Sequence, residues 1–147
     1  MKKRILAGLL FWLPTVMSAQ EMLPPQDIAV FRGYFYNKEY EVYIRMDAYD
    51  RDVVVPMQEI FGRLPGFLGD RHDGRKWLFT DVTLKSRRKA LLTIVNDYGS
   101  EDLTATMTCD NDSTYTFRQE DGSAIKIARH RKWVKLPKTL VFVKRPR

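Results

Sequence analysis

Apolar and polar residues alternate with a period of two along most of the chain from residue 31 onward. That is the pattern of strands that bury one face. Phe31, Gly33 and Phe35 alternate with Arg32, Tyr34 and Tyr36; beyond a turn at Asn37-Lys38, Tyr40, Val42, Ile44 and Met46 alternate with Glu41, Tyr43, Arg45 and Asp47, which predicts a hairpin. Val53, Val54 and Val55 predict a further strand, with a continuation through Ile60 and Phe61. From residue 77 the rhythm is more regular. Stretches 77–84, 90–95, 103–109, 114–119 and 124–128 are rich in Thr, Val, Ile and aromatics and are joined by turn chemistry such as 110–113 (DNDS) and 120–123 (EDGS). Residues 133–136 and 139–143 give one or two closing strands.

Short connections favour neighbouring antiparallel strands, so the expected fold is all-β: an antiparallel up-and-down meander of eight to ten strands. A sheet that long has two open edges unless it closes, and closure into a barrel removes both. A two-sheet sandwich is the alternative, but no long crossing connection supports it. The expected core is Phe31, Phe35, Tyr40, Val42, Ile44, Leu92, Ile94, Leu103, Met107, Tyr115, Phe117, Ile125, Ile127, Trp133 and Phe142. Bulk of this kind favours a filled interior over an open one.

The first residues change the setting. Lys2, Lys3 and Arg4, an apolar run over 5–13 and small residues up to Ala19 have the layout of an export signal, too short to span a bilayer as a stable helix. A cut after Ala19 leaves 128 of the 147 residues, enough for one domain over 28–147 with an extended arm at 20–27 carrying Pro24-Pro25. The formal charge of +7 falls to +4 with the three cations of the signal, an excess too modest to announce nucleic-acid binding. With Cys109 as its single cysteine, the chain has no internal disulfide, and the alternation places that thiol inward.

Residues 64–79 read LPGFLGDRHDGRKWLF and interrupt the rhythm. Asp70, His72 and Asp73 are acceptable metal ligands, but His130, the other histidine, sits among Arg129, Arg131 and Lys132, where positive charge opposes a cation. The glycines do not fit a phosphate loop, and the carboxylate pairs Glu101-Asp102, Asp110/Asp112 and Glu120-Asp121 fall in turns, where acids are commonplace. No metal, no cofactor and no enzyme activity are expected. The segment 64–75 reads instead as an over-long, Gly-hinged apolar loop, and such loops are disproportionately functional. Phe67 would be a mobile lid over a barrel mouth, Tyr34, Tyr43 and Trp77 its lining, and Arg71 and Arg75 the partners of an acidic head group.

Size, export signal and meander resemble the lipocalin-like, or calycin, class of barrels, and Gly33-Tyr34-Phe35 resembles that class's opening Gly-x-Trp, with Phe35 where the class has tryptophan. The runs NDYGSEDLTATMT (96–108) and RKWVKLPKTLVF (131–142) resemble small exported proteins of unassigned function from Bacteroidetes. The class resemblance implies a central cavity for a small apolar ligand. The expectation is therefore a periplasmic or secreted, non-enzymatic protein that binds a small apolar or amphipathic ligand, with no transmembrane segment in the mature chain. The alternative is a protein interaction module, an inhibitor or a subunit of an envelope assembly, that uses residues 64–75 as a wedge.

Overall fold

The computed structural model describes residues 29–146; the expected export signal and arm lie outside the described residues. Twelve strands form: β1 (Arg32–Asn37), β2 (Val42–Asp47), β3 (Val53–Val54), β4 (Arg63–Leu64), β5 (Gly66–Asp70), β6 (Asp73–Ser86), β7 (Lys89–Asn96), β8 (Asp102–Cys109), β9 (Thr114–Gly122), β10 (Lys126–Arg129), β11 (Lys132–Lys135) and β12 (Thr139–Arg145). Eight of them close an antiparallel barrel in the order β1-β12-β9-β8-β7-β6-β5-β2, with β2 returning to β1. The meander is interrupted twice, by the small hairpins β3-β4 and β10-β11, each paired only with itself. Eight strands make a barrel just wide enough for side chains to fill. Here Phe35, Ile44, Leu68, Phe79, Leu92, Ile94, Met107, Phe117 and Phe142 are buried from solvent and fill it.

Both ends are stoppered. At the end where β1 starts, Val30 and Phe31 fold across the opening; the Tyr115 hydroxyl donates to the Val30 carbonyl at 2.5 Å, and the Phe31 N–H donates to the Tyr49 hydroxyl at 3.0 Å. Burial pushes the Tyr115 hydroxyl far above its ordinary range, so it remains a donor. At the opposite end the β10-β11 hairpin inserts Ile125, Ile127 and Leu136 into the core. That hairpin turns through His130 and Arg131, both left-handed (φ 53° and 67°), as a two-residue turn matched to strand twist requires. His130 is thus a turn residue.

The expected core is buried except for Tyr40, which packs partly buried against it, and Trp133, which is 60% exposed. Trp133 corrects the sequence reading: in β11 it alternates with Val134, and Val134 is the residue that faces the core. Cys109 is buried as expected. Ile60 and Phe61 do not continue a strand; they belong to a single 3-10 turn, Glu59–Phe61.

Residues 64–75 are not a loop. They contain β5, a full barrel strand paired with β2 and β6, and a tight turn at 71–72. Phe67 is therefore no lid: it is 2% exposed, on the outer face of β5, packed with Leu78 and Val55. The β3-β4 excursion covers this stretch of outer wall, so β5 is buried on both faces. Among the described residues no helix is long and apolar enough to cross a membrane.

Candidate functional site

The structure divides the expected site residues into two groups. Tyr34, Tyr43, Phe67 and Arg71 lie on or beside the outer wall of β1, β2 and β5. The Tyr34 and Tyr43 rings stack at 5.4 Å, and the Tyr43 ring meets the edge of Phe67 at 5.9 Å. Arg71 and Arg145 stand over the Tyr36 ring at 5.9 and 4.4 Å. Burial pushes the Tyr43 phenol up, with Tyr34 beside it adding to the effect. Strand register places Tyr36, Tyr43, Gly69 and Lys76 in one row across β1, β2, β5 and β6. None of this group faces the barrel interior.

Arg75 and Trp77 form the second group, at the end of that row. They line a groove of about 200 Å³ between the start of β6, the 97–101 turn and the β10-β11 hairpin. Trp77, almost fully buried, has its indole Nε1 3.4 Å from the Lys126 carbonyl. The Trp133 ring stands exposed on the hairpin, with the Arg75 guanidinium 4.7 Å from its centroid, a cation–π stack. Arg75 is held in turn by Asp73, whose two oxygens accept its backbone N–H at 3.0 Å and its Nη1 at 2.5 Å.

The facing wall is built by Asn96. Its side-chain oxygen accepts the N–H groups of Ser100 and Glu101 at 2.9 and 3.2 Å, and Gly99 turns the chain with φ 74°. The result is a fixed turn that presents Tyr98, 79% exposed, beside the groove. Lys126 pairs with Glu101 at 2.9 Å across the same space. Lys76, 6% exposed, completes the lining.

The acids and histidine of the turn at 71–72 are otherwise engaged. His72 Nε2 contacts the Glu41 carboxylate, and that hydrogen bond holds the Glu41 carboxyl below its ordinary value. Asp70 pairs with Arg129 at 2.6 Å. Asp70, His72 and His130 do not gather into a ligand set. The described acids that do gather are Asp47, Asp50 and Asp52, where Asp47 already accepts the N–H groups of Tyr49 and Asp50 and faces Arg32.

No protein-family model matches the chain, and neither a curated protein nor a solved structure matches it. The chemistry of the groove is an aromatic floor and wall with cations at the edge. That chemistry suits a flat apolar body and an anionic group. Trp133, Tyr98 and Lys76 were missed from sequence. Trp133 had a signal: the pair Val134/Leu136 is more apolar than Trp133/Lys135, so alternation turns the tryptophan outward.

Proposed function

We propose that this chain is an exported, non-enzymatic binding protein for a small amphipathic ligand, held in the rim groove beneath Trp133 and not inside the barrel. It is a lipocalin-like barrel whose interior is filled and whose binding surface has moved to the rim at the end closed by the β10-β11 hairpin. The observation that carries this reading is the Trp133 indole, exposed yet fixed by Arg75 opposite Trp77 and Tyr98. An immobilised, solvent-facing aromatic wall supplies contact area at low ordering cost. Export, to the periplasm or beyond, rests on the layout of residues 2–19.

Native mass spectrometry of the protein purified from its host would show a retained small molecule, lost in Trp133→Ala. A bare protein mass, together with no perturbation of the Trp133 indole N–H by any aromatic probe in a nitrogen-correlated NMR titration, would overturn the reading.

One observation favours a second reading, a module that docks on an envelope protein. Met57 and Ile60 are 83% and 91% exposed on a turn whose backbone bonds are made within itself, Gln58 to Val55 and Gly62 to Glu59. The wedge would then be residues 57–61 and not 64–75. Met57→Asp with Ile60→Asp would abolish that docking and leave probe binding in the groove unchanged.

A further inference from the structure

We infer that the outer wall of β1, β2 and β12 is a second binding surface, separate from the groove, and that it docks an acidic protein segment through Tyr36, Arg71 and Arg145. Strand register lays two rows across this wall. One holds Arg145, Tyr34 and Arg45, the other Val143, Tyr36 and Tyr43, and both face away from the interior that Phe35 and Ile44 fill. The Tyr34 ring stacks on Tyr43 at 5.4 Å and on Tyr36 at 6.5 Å, and Val141 and Val143 on β12 are 50% and 42% exposed.

The charge on this wall is one-sided. The guanidiniums of Arg71 and Arg145, both exposed, stand over the Tyr36 ring, and neither meets a carboxylate within 4 Å among the described residues. By contrast, Arg32, Arg51, Arg75, Arg118 and Arg129 each pair with an acid. The two rows carry no Asp or Glu, and Glu41, beside Arg71, is held by His72. Tyrosine and arginine around an apolar centre is the composition of a protein-binding face. Stacking on a ring restricts each guanidinium before a partner arrives, so less ordering remains for the docking step.

The same features select the partner. A second copy seated on a two-fold axis would set one cationic face against another, which like-charge repulsion opposes. β12 pairs with β1 and β1 with β2, so no foreign strand can add to the wall, and recognition falls to side chains. Carboxylates that reach Arg71 and Arg145 from either side of an apolar residue seated on Tyr34 and Val143 meet those terms; a sulfated polymer would use the charges and leave the valines idle.

The test titrates nitrogen-labelled protein with the blocked hexapeptide EELFEE and with its neutral counterpart QQLFQQ. The acidic peptide should shift the Nε–H signals of Arg71 and Arg145 and the amides of residues 34–36 and 141–145, leave the Trp133 indole N–H in place, and bind about 10-fold more tightly than QQLFQQ. Arg71→Gln with Arg145→Gln should remove that preference; both side chains are exposed, and circular dichroism checks the fold. No binding of EELFEE, equal affinity for the two peptides, shifts centred on the 85–89 turn or on the groove, or an acid preference that survives in the double variant would overturn the inference. So would shifts of this wall by phosphatidylglycerol vesicles or dextran sulfate and not by the peptide, which would hand the face to a lipid surface or a polyanion. The groove reading stands or falls separately, on Trp133→Ala.

Discussion

The Asp70 carboxylate lies 2.6 Å from Nη1 of Arg129, and this pair fastens the β10-β11 hairpin to the end of β5. The Asp70 side chain is only 5% exposed, and the same guanidinium donates to the carbonyls of Tyr40 and Ala128 at 2.6 and 2.8 Å. The hydrogen bond to Asp70 raises the Arg129 pKa further, so the guanidinium keeps its charge. Arg129→Met leaves a buried carboxylate alone, and its expected cost is about 3–5 kcal/mol in denaturant unfolding. Adding Asp70→Asn should recover most of that loss. A double-mutant cycle with no coupling would show that the hairpin is held by its apolar residues alone.

Asp47 gives the fold a pH dependence. Burial alone would raise its carboxyl, but the N–H groups of Asp50 and Tyr49, at 2.9 and 3.0 Å, and Arg32 outweigh it and hold the value below the ordinary one. A carboxyl lowered in the native state contributes stability that is fully present above its unfolded value, about 4, and is lost as pH falls through the lower native value. Unfolding free energy should therefore decline as the solution is acidified below pH ~4. Asp47→Asn should flatten part of that decline and lower stability at neutral pH by about 1–3 kcal/mol. An unchanged slope would assign the acid sensitivity to other groups, Glu41 among them.

The barrel was legible wherever one face of a strand is wet. β7, β8 and β9 alternate cleanly because their outward residues, Thr93, Thr106 and Arg118 among them, meet solvent. β5 was not legible. Its outward Phe67 is roofed by Val55 and its inward row includes Gly66, so period two is erased in a strand that is buried on both sides. Of the groove, Arg75 and Trp77 stand close together in the sequence and were singled out there, but its lining also includes residues within 96–101 and 126–133, brought to them by barrel closure. No local pattern encodes that meeting.

The glycines that made β5 resemble a loop make a graded test of the strand. A Cβ at Gly66 would stand 2.4 Å from the Arg45 carbonyl oxygen and 2.9 Å from the Met46 Cα, backbone atoms that cannot step aside. At Gly69 it would meet the Tyr43 ring at 2.6 Å, and that ring can move only by leaving its stack on Tyr34. At Gly74 it would meet nothing within 4 Å. Gly66→Ala should destabilise by roughly 3 kcal/mol, Gly69→Ala by about 1–2, and Gly74→Ala by less than about 0.5. Three equal, small effects in thermal unfolding would mean that residues 66–70 are not a paired barrel strand.

Trp133 and Trp77 separate binding from folding within one groove. Trp77 is 7% exposed and belongs to the core cluster, so Trp77→Ala opens a cavity and should cost about 3–5 kcal/mol. Trp133 is 60% exposed, and its ring contact is with Arg75, so Trp133→Ala should cost no more than about 1 kcal/mol. The order reverses for the ligand. Trp133→Ala removes the groove's exposed wall and should abolish binding of a flat aromatic acid, with 2-naphthoate as the probe, at unchanged fold, measured by calorimetry beside an unfolding curve. Trp133→Phe, which keeps a flat ring for Arg75 to stack on, should retain part of the affinity. If Trp133→Ala instead unfolded the chain as severely as Trp77→Ala, the hairpin tryptophan would be a packing residue, and the rim would have no wall left to offer a ligand.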